Sequence, residues 1–305
     1  MTLRKEAIFN SKILLFGEYS LMKGSMALSI PFKKYNGKLL FDNKSQKTKS
    51  NHYSVKYLID YHKFLANSGF EDKLNLIDFK HDIECGLIFD TNIPISYGLG
   101  SSGAIVASIY NSYAYSPTND INKLKDIFSK MESYYHGKSS GLDPLVSFLN
   151  KPILIDNNHE IKTVDIPKQN SLLKGGIFLV DTKTTGETQP LVNWFLNEHE
   201  SIDYQYKIQN QLIPLNNNSI TNMLSGDFNS LLSNVKLISK FTLENFKPMI
   251  PNSVRNIWET GLGTNDYYLK LCGSGGGGMM LGFTNNIEDT TSKLRKLNTQ
   301  MILLK

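Results

Sequence analysis

Pro94-Ile95-Ser96-Tyr97-Gly98-Leu99-Gly100-Ser101-Ser102-Gly103-Ala104 follows a strand-like run, Gly86–Asp90, and opens a stretch, Ser101 to Tyr113, that reads as a helix with small residues at its start. Glycines at this junction let the backbone turn so that successive N–H groups converge on an anion. A helix that begins there adds N–H donors and the positive end of its dipole. Ser101 and Ser102 add hydroxyls suited to phosphate or Mg²⁺. The stretch is not a Walker loop, because no Gly-Lys-Ser/Thr follows. Nor is it a dinucleotide fingerprint, since Gly98-Leu99-Gly100 lacks the third glycine at the right spacing and the preceding unit is not βαβ. Seen alone, it reads equally as a glycine-rich helix entry.

A second glycine stretch lies far downstream. Lys270-Leu271-Cys272-Gly273-Ser274-Gly275-Gly276-Gly277-Gly278-Met279-Met280 puts five glycines into six positions between two apolar runs. That composition is costly in conformational entropy. Flexible linkers share it, but they are not usually flanked by strands of buried type, so close approach of the backbone to another group is the favoured reading. Two such loops far apart in sequence suggest one site assembled between domains.

Between them stands Met131-Glu132-Ser133-Tyr134-Tyr135-His136-Gly137-Lys138-Ser139-Ser140-Gly141-Leu142-Asp143-Pro144. Taken singly, Asp143 before a proline reads as a helix N-cap, Glu132 as a solvated residue in the last turn of its helix, and His136 as a capping or packing histidine. Near the start, Ser11-Lys12-Ile13-Leu14-Leu15-Phe16-Gly17-Glu18-Tyr19-Ser20 opens on a lysine that could be a plain edge charge. Each stretch is modest alone; their order along the chain is not.

The remainder bounds the answer. At 305 residues the chain suits about two domains, and 40% hydrophobic with 20% charged residues excludes a disordered chain. Its longest apolar runs have strand length, well short of the roughly 18 residues that a membrane span needs. Met1-Thr2-Leu3-Arg4-Lys5-Glu6 has no apolar export segment, so the expected location is cytoplasmic. Two cysteines cannot make a disulfide framework or a metal cluster. A net charge of +5 suits a small anionic substrate. Lys33–Lys38 and Asn43–Lys49 read as solvated hairpin and loop charges, because no nucleic-acid motif accompanies them.

Strands are expected at Lys12–Gly17, Ala27–Phe32, Gly37–Phe41, Gly86–Asp90, Ile153–Asp156, Gly176–Asp181, Tyr267–Cys272 and Met279–Phe283, with Met301–Leu304 a final candidate. Helical spacing marks Val55–Leu65, Ser101–Tyr113, Asp120–Tyr135, Gln189–Glu198, Phe228–Phe241 and Ile287–Leu297. Without a strict βαβ rhythm, the expected class is α+β. The polar stretch Pro167–Gly175 is the expected domain boundary, giving domains 1–168 and 169–305.

An early Lys…Gly-Glu strand, a Pro-x₃-Gly-Leu-Gly-Ser-Ser loop, a Glu followed by His-Gly-x-x-Ser-Gly-x-Asp, and a late Gly-Ser-Gly-Gly-Gly-Gly loop together resemble the GHMP kinases. The motifs span residues 11 to 282, and within the family the chain is most similar to the mevalonate-phosphorylating members. The resemblance implies an N-terminal domain with a left-handed βαβ unit, a ferredoxin-like C-terminal domain, and ATP and substrate in the cleft between them. It implies ATP and Mg²⁺ as cofactors and a small-molecule alcohol as the partner, with no nucleic acid and no membrane; a homodimer is compatible with it.

Residue by residue, the resemblance makes Asp143 the catalytic carboxylate and Lys12 its lysine. It places Pro94, Gly98, Leu99, Gly100, Ser101, Ser102 and Gly103 on the nucleotide and makes Ser102 and Glu132 the Mg²⁺ ligands. Glu18, His136, Thr188, Gly273, Ser274, Gly275 and Gly276 fall on the substrate side. The chain departs from the family at its opening, where Phe9-Asn10-Ser11-Lys12 replaces Ala-Pro-Gly-Lys, and at Gly103, usually an alanine. Gly17-Glu18-Tyr19 is similar to the phosphomevalonate-phosphorylating members.

Overall fold

In the computed structural model, residues 7–41, 55–167 and 174–304 are described, apart from the side chain of His136. Strands β1 (Phe9–Phe16), β2 (Ala27–Phe41), β3 (Leu87–Thr91), β4 (Ile153–Ile155) and β5 (Ile161–Thr163) form one sheet, ordered β1-β2-β4-β5 with β3 also on β2. The two strands expected at Ala27–Phe32 and Gly37–Phe41 are one strand of 15 residues, long enough to pair with β4 through Ala27–Ser29 and with β3 through Gly37–Phe41. Gly37 therefore marks no hairpin. It stands where the chain passes the Phe89 ring, and a Cβ there would lie 2.3 Å from Phe89 Cζ. Lys33 and Lys34 are exposed strand residues, while Asn43–Lys49 lies outside the described residues.

Helices α1 (Val55–Asn67), α2 (Leu76–Glu84), α3 (Ser101–Tyr113), α4 (Ile121–His136) and α5 (Leu142–Leu149) follow. Ser102 to Tyr110 of α3 is buried without interruption, as expected of a helix enclosed on all sides. It packs on α4 and α5. Asp120 caps α4 by accepting from the amides of Asn122 and Lys123. Gly137 ends that helix with φ 69°.

A second sheet holds β6 (Gly176–Asp181), β7 (Tyr267–Leu271), β8 (Met279–Thr284) and β9 (Met301–Leu303) in the order β7-β8-β6-β9, all antiparallel. Its helices are α6 (Thr188–Glu198), α7 (Ile202–Lys207), α8 (Ile213–Ser225), α9 (Phe228–Asn245), α10 (Asn252–Thr264) and α11 (Ile287–Lys296). A single π-helical segment, Ile208–Leu212, joins α7 to α8. Trp258 on α10 is fully buried, and its Nε1 donates to the Ser239 carbonyl at 3.2 Å. Truncating a core tryptophan of this kind costs about 3–5 kcal/mol.

The described residues divide into two compact units. The first draws on residues 7–12, 31–41, 55–94 and 100–151, and the second on residues 13–30, 95–99, 152–167 and 174–304. The expected boundary at 168/169 falls in residues 168–173, outside the described residues. Among the described residues no helix is long and apolar enough to cross a membrane.

Candidate active site

In the first unit, Lys12 Nζ lies 3.0 Å from Asp143 Oδ2, the lysine side chain 7% exposed and the carboxylate 33%. Lys12 is thus no edge charge. A lysine is almost never this buried unless paired, and here the pair leaves the carboxylate open to a reactant. Asp143 is not the helix cap either. Gly141, with φ 74°, holds that position, and Asp143 sits in the first turn of α5, where a carboxylate is favoured by the helix dipole. Gly141 cannot carry a side chain, since its Cβ would meet the Lys125 carbonyl of α4 at 2.3 Å.

Glu132 on α4 is buried to 3% exposure, unlike the solvated residue that its sequence position alone suggests. Its Oε1 accepts from Ser102 Oγ at 3.0 Å, and its Oε2 accepts from Ser139 Oγ. Burial, and then the negative charge of Asp143, push its carboxyl up to about 7, while the two hydroxyls and Lys12 pull the other way. Among the described residues, two carboxyl groups share one lysine in this cluster. Its donors are all hard oxygens, the set that suits Mg²⁺. Among the described residues no three His, Cys, Asp or Glu side chains gather.

Gly100 and Gly103 of the first unit are in contact with these groups. Gly100, the α3 N-cap with φ 75°, lies against Lys12, whose Cγ would be 2.7 Å from an added Cβ. At Gly103 an added Cβ would lie 2.6 Å from the Asp143 carbonyl carbon and 2.7 Å from Pro144 N. Missing side chains at 100 and 103 thus let Lys12 and Asp143 approach α3. Its N-cap residue is a glycine, which has no side chain to cap with, and the first-turn amides of any helix lack intrahelical partners.

In the second unit, the late glycine loop is packed against other backbone. Gly98 faces the Cys272 carbonyl, 2.7 Å from an added Cβ, and Gly278 faces Tyr97 backbone atoms at 2.6 Å. Gly277 abuts Thr185 and Gly186, while Gly276 N donates to Met249 O and Gly278 N to Thr184 O, both at 2.7 Å. Four of these glycines, 273, 275, 276 and 278, have positive φ. The group approached so closely is the protein's own chain. Thr188 Oγ1 and Ser274 Oγ are 3.1 Å apart at one edge of this loop.

The Glu18 side chain is nearly enclosed in the same unit. Its Oε1 accepts from Lys270 Nζ at 2.5 Å, with side-chain exposures of 8% and 3%. The next residue, Tyr19, takes φ 57° and ψ −42°, and Ser20 N donates to Glu18 O at 2.5 Å. This is a γ-turn of the rare positive-φ kind, a strain on the order of 1–3 kcal/mol in a residue with a large side chain. Burial, and then the Glu18 charge, raise the Tyr19 hydroxyl well above its ordinary value, so it remains a neutral donor.

Residues 61–151 match the family model described as GHMP kinases N terminal domain. No curated protein matches the sequence. Among solved structures, L. major mevalonate kinase in complex with R-mevalonate aligns with TM-score 0.64 and 16% identity, over 98% of this chain and 95% of that one. The chain has the GHMP kinase fold. Streptococcus pneumoniae phosphomevalonate kinase in complex with phosphomevalonate and AMPPNP shares it at TM-score 0.65 and 15% identity, over 98% of each chain. So does Lactococcus lactis galactokinase complexed with galactose, at TM-score 0.65 and 14% identity, over 99% of this chain and 94% of that one.

Within the GHMP fold, Lys12, Gly100, Ser102, Gly103, Glu132 and Asp143 come together in the first unit. Gly98, Glu18, Thr188 and Gly273 to Gly276 belong to the second, with Leu99 buried beside Gly98. Pro94 ends a segment of the first unit, and Ser101 opens α3. The side chain of His136 lies outside the described residues. Sequence reasoning assigned no role to Ser139 or Lys270, the partners of Glu132 and Glu18, although both stand inside stretches that it singled out.

Proposed function

We propose that this GHMP-fold chain transfers the γ-phosphoryl group of ATP to the hydroxyl of a small molecule, with mevalonate the favoured acceptor. The observation that carries the reading is the Lys12–Asp143 pair set beside the Ser102–Glu132 bond in one unit. Phosphoryl transfer asks a protein mainly for positioning and charge. The α3 N-terminus, with a glycine at its N-cap, supplies amides and dipole for phosphate oxygens. Asp143 takes the proton of the acceptor hydroxyl as its oxygen bonds to the γ-phosphorus and the bond to the ADP oxygen breaks. Lys12 orients that carboxylate and offsets charge on the transferring group. Glu132 and Ser102 would hold Mg²⁺, which when bound neutralises phosphate charge.

The likeness of Gly17-Glu18-Tyr19 to phosphomevalonate-phosphorylating members supports a second acceptor, phosphomevalonate. ADP release coupled to a reporter, with Mg-ATP and mevalonate, phosphomevalonate, homoserine or galactose in turn, decides between them. Mevalonate-dependent release is expected. Release with phosphomevalonate alone overturns the favoured acceptor, and ATP binding without release on any acceptor overturns catalysis.

A further inference from the structure

Glu18 and Tyr19 each reach the late glycine stretch, from adjacent positions in one strained turn. Glu18 holds Lys270, near the end of β7, through an ion pair with both partners nearly enclosed. The Lys270 ammonium also donates to Leu271 O at 2.9 Å and lies 5.3 Å from the Phe16 ring centre. Tyr19 spans the next step, its hydroxyl donating to Ser274 O at 2.6 Å. The Tyr19 ring is wedged against Phe195 and Phe246, with centroid distances of 4.9 and 5.5 Å. At 6% exposure it presents little surface to any ligand.

A tyrosine with φ 57° persists only where its surroundings over-determine it. Here the ion pair on one side and the ring cluster on the other do so. Two of the contacts that hold the turn, the ion pair to Lys270 and the Tyr19 bond to Ser274, run to the 270–274 stretch, which ties the strain in part to that stretch. From Ser274 the loop runs on to Gly278, which touches Tyr97 backbone, and Met279 N donates to Tyr97 O at 3.4 Å. Tyr97 and Gly98 begin the phosphate loop.

We propose that the Glu18-Tyr19 turn is a latch that sets the position of the loop at 273–278 and, through it, of Tyr97 and Gly98. Glu18 and Tyr19 are then positioning residues, and neither needs to touch the acceptor. The consequence for nucleotide handling rests on the kinase reading; the latch does not.

Tyr19→Phe removes one oxygen and keeps the ring packing. Amide hydrogen exchange, read without substrates, is expected to quicken about tenfold or more at Gly276 and Gly278, with the amides of β6 and α9 unchanged. Unchanged exchange at Gly276 and Gly278 overturns the latch, as does a uniform rise over the whole second unit, which would signal general loosening. In the turnover assay, the same variant should raise KM for ATP several-fold while KM for the acceptor stays within twofold. A rise confined to the acceptor would make Tyr19 a substrate contact and overturn its positioning role. An enzyme silent on every acceptor would sink the kinase reading and leave the exchange result standing.

Discussion

Ser102 Oγ and Glu132 Oε1 are 3.0 Å apart, a bond that ties the first turn of α3 to the last turns of α4. The carboxylate so fixed has a second hydroxyl on it and a second carboxylate near it, so its protonation is coupled to whatever cation arrives.

Asp143→Asn keeps the shape of the side chain and removes its capacity to take a proton. Turnover should fall by roughly 10²–10⁴, the usual contribution of a positioned base. ATP affinity should stay close to that of the native chain, while the thermal midpoint falls, because Lys12 stays buried without its carboxylate partner. Steady-state kinetics beside nucleotide titration checks this, and native-like turnover would remove Asp143 from the chemistry.

Glu132 makes the metal-free protein sensitive to pH in a stated direction. Its folded carboxyl titrates at about 7, above the ordinary value of 4.5, because burial and Asp143 disfavour the charge. The folded state therefore holds a proton that the unfolded chain has released between those values, and stability declines as pH rises through that window. The contribution is on the order of 3 kcal/mol. Glu132→Gln should flatten the decline between pH 4.5 and 7 in chelator and raise the Mg²⁺ concentration needed for turnover. Denaturation across pH, with a Mg²⁺ titration of activity, reads both; an unchanged slope would place the titration elsewhere.

Much of this cluster was legible because its residues sit in short motifs whose spacing is enforced by contact. Gly103 and Gly141 must each be glycine for α5 to reach α3 and α4. Other features left no local trace. The apolar spacing of Val55–Leu65 marks α1, whereas α7 carries no such mark: Ile202 and Tyr206 are exposed, so the apolar pattern around them does not follow one buried face. Gly37 looked like a turn because a glycine demanded by a ring on another strand is indistinguishable, in sequence, from one demanded by φ. The Glu18–Lys270 pair is 252 positions apart, and no periodicity reports such a contact.

Gly103→Ala tests how closely α5 must sit on α3. Alanine gains about 1 kcal/mol in helix propensity, but its Cβ would lie 2.6 Å from the Asp143 carbonyl carbon, an overpacking that costs roughly 1–3 kcal/mol. Stability should change by no more than about 2 kcal/mol, while the displaced Asp143 lowers kcat by roughly ten- to a hundredfold. Differential scanning calorimetry and kcat together report this. Full activity in the variant would show that α5 shifts freely and that Gly103 does not set the carboxylate.

Gly278→Ala and Gly24→Ala separate backbone conformation from close approach within the second unit. Both glycines have positive φ, 69° and 91°, so each substitution strains the backbone. Only the first meets an obstacle: its Cβ would lie 2.6 Å from Tyr97 Cα and O, whereas nothing stands within 4 Å of one at Gly24. Gly24→Ala should cost about 1–2 kcal/mol, the penalty of a left-handed alanine. Gly278→Ala adds overpacking against backbone that cannot rotate away, for a total of about 3 kcal/mol or more. The difference should appear in chemical denaturation as an earlier transition, and in nucleotide affinity as a loss confined to Gly278→Ala, because Tyr97 and Gly98 must move to admit the methyl group. Equal effects of the two substitutions would mean that φ alone explains the late glycines and that their packing on the phosphate loop is incidental.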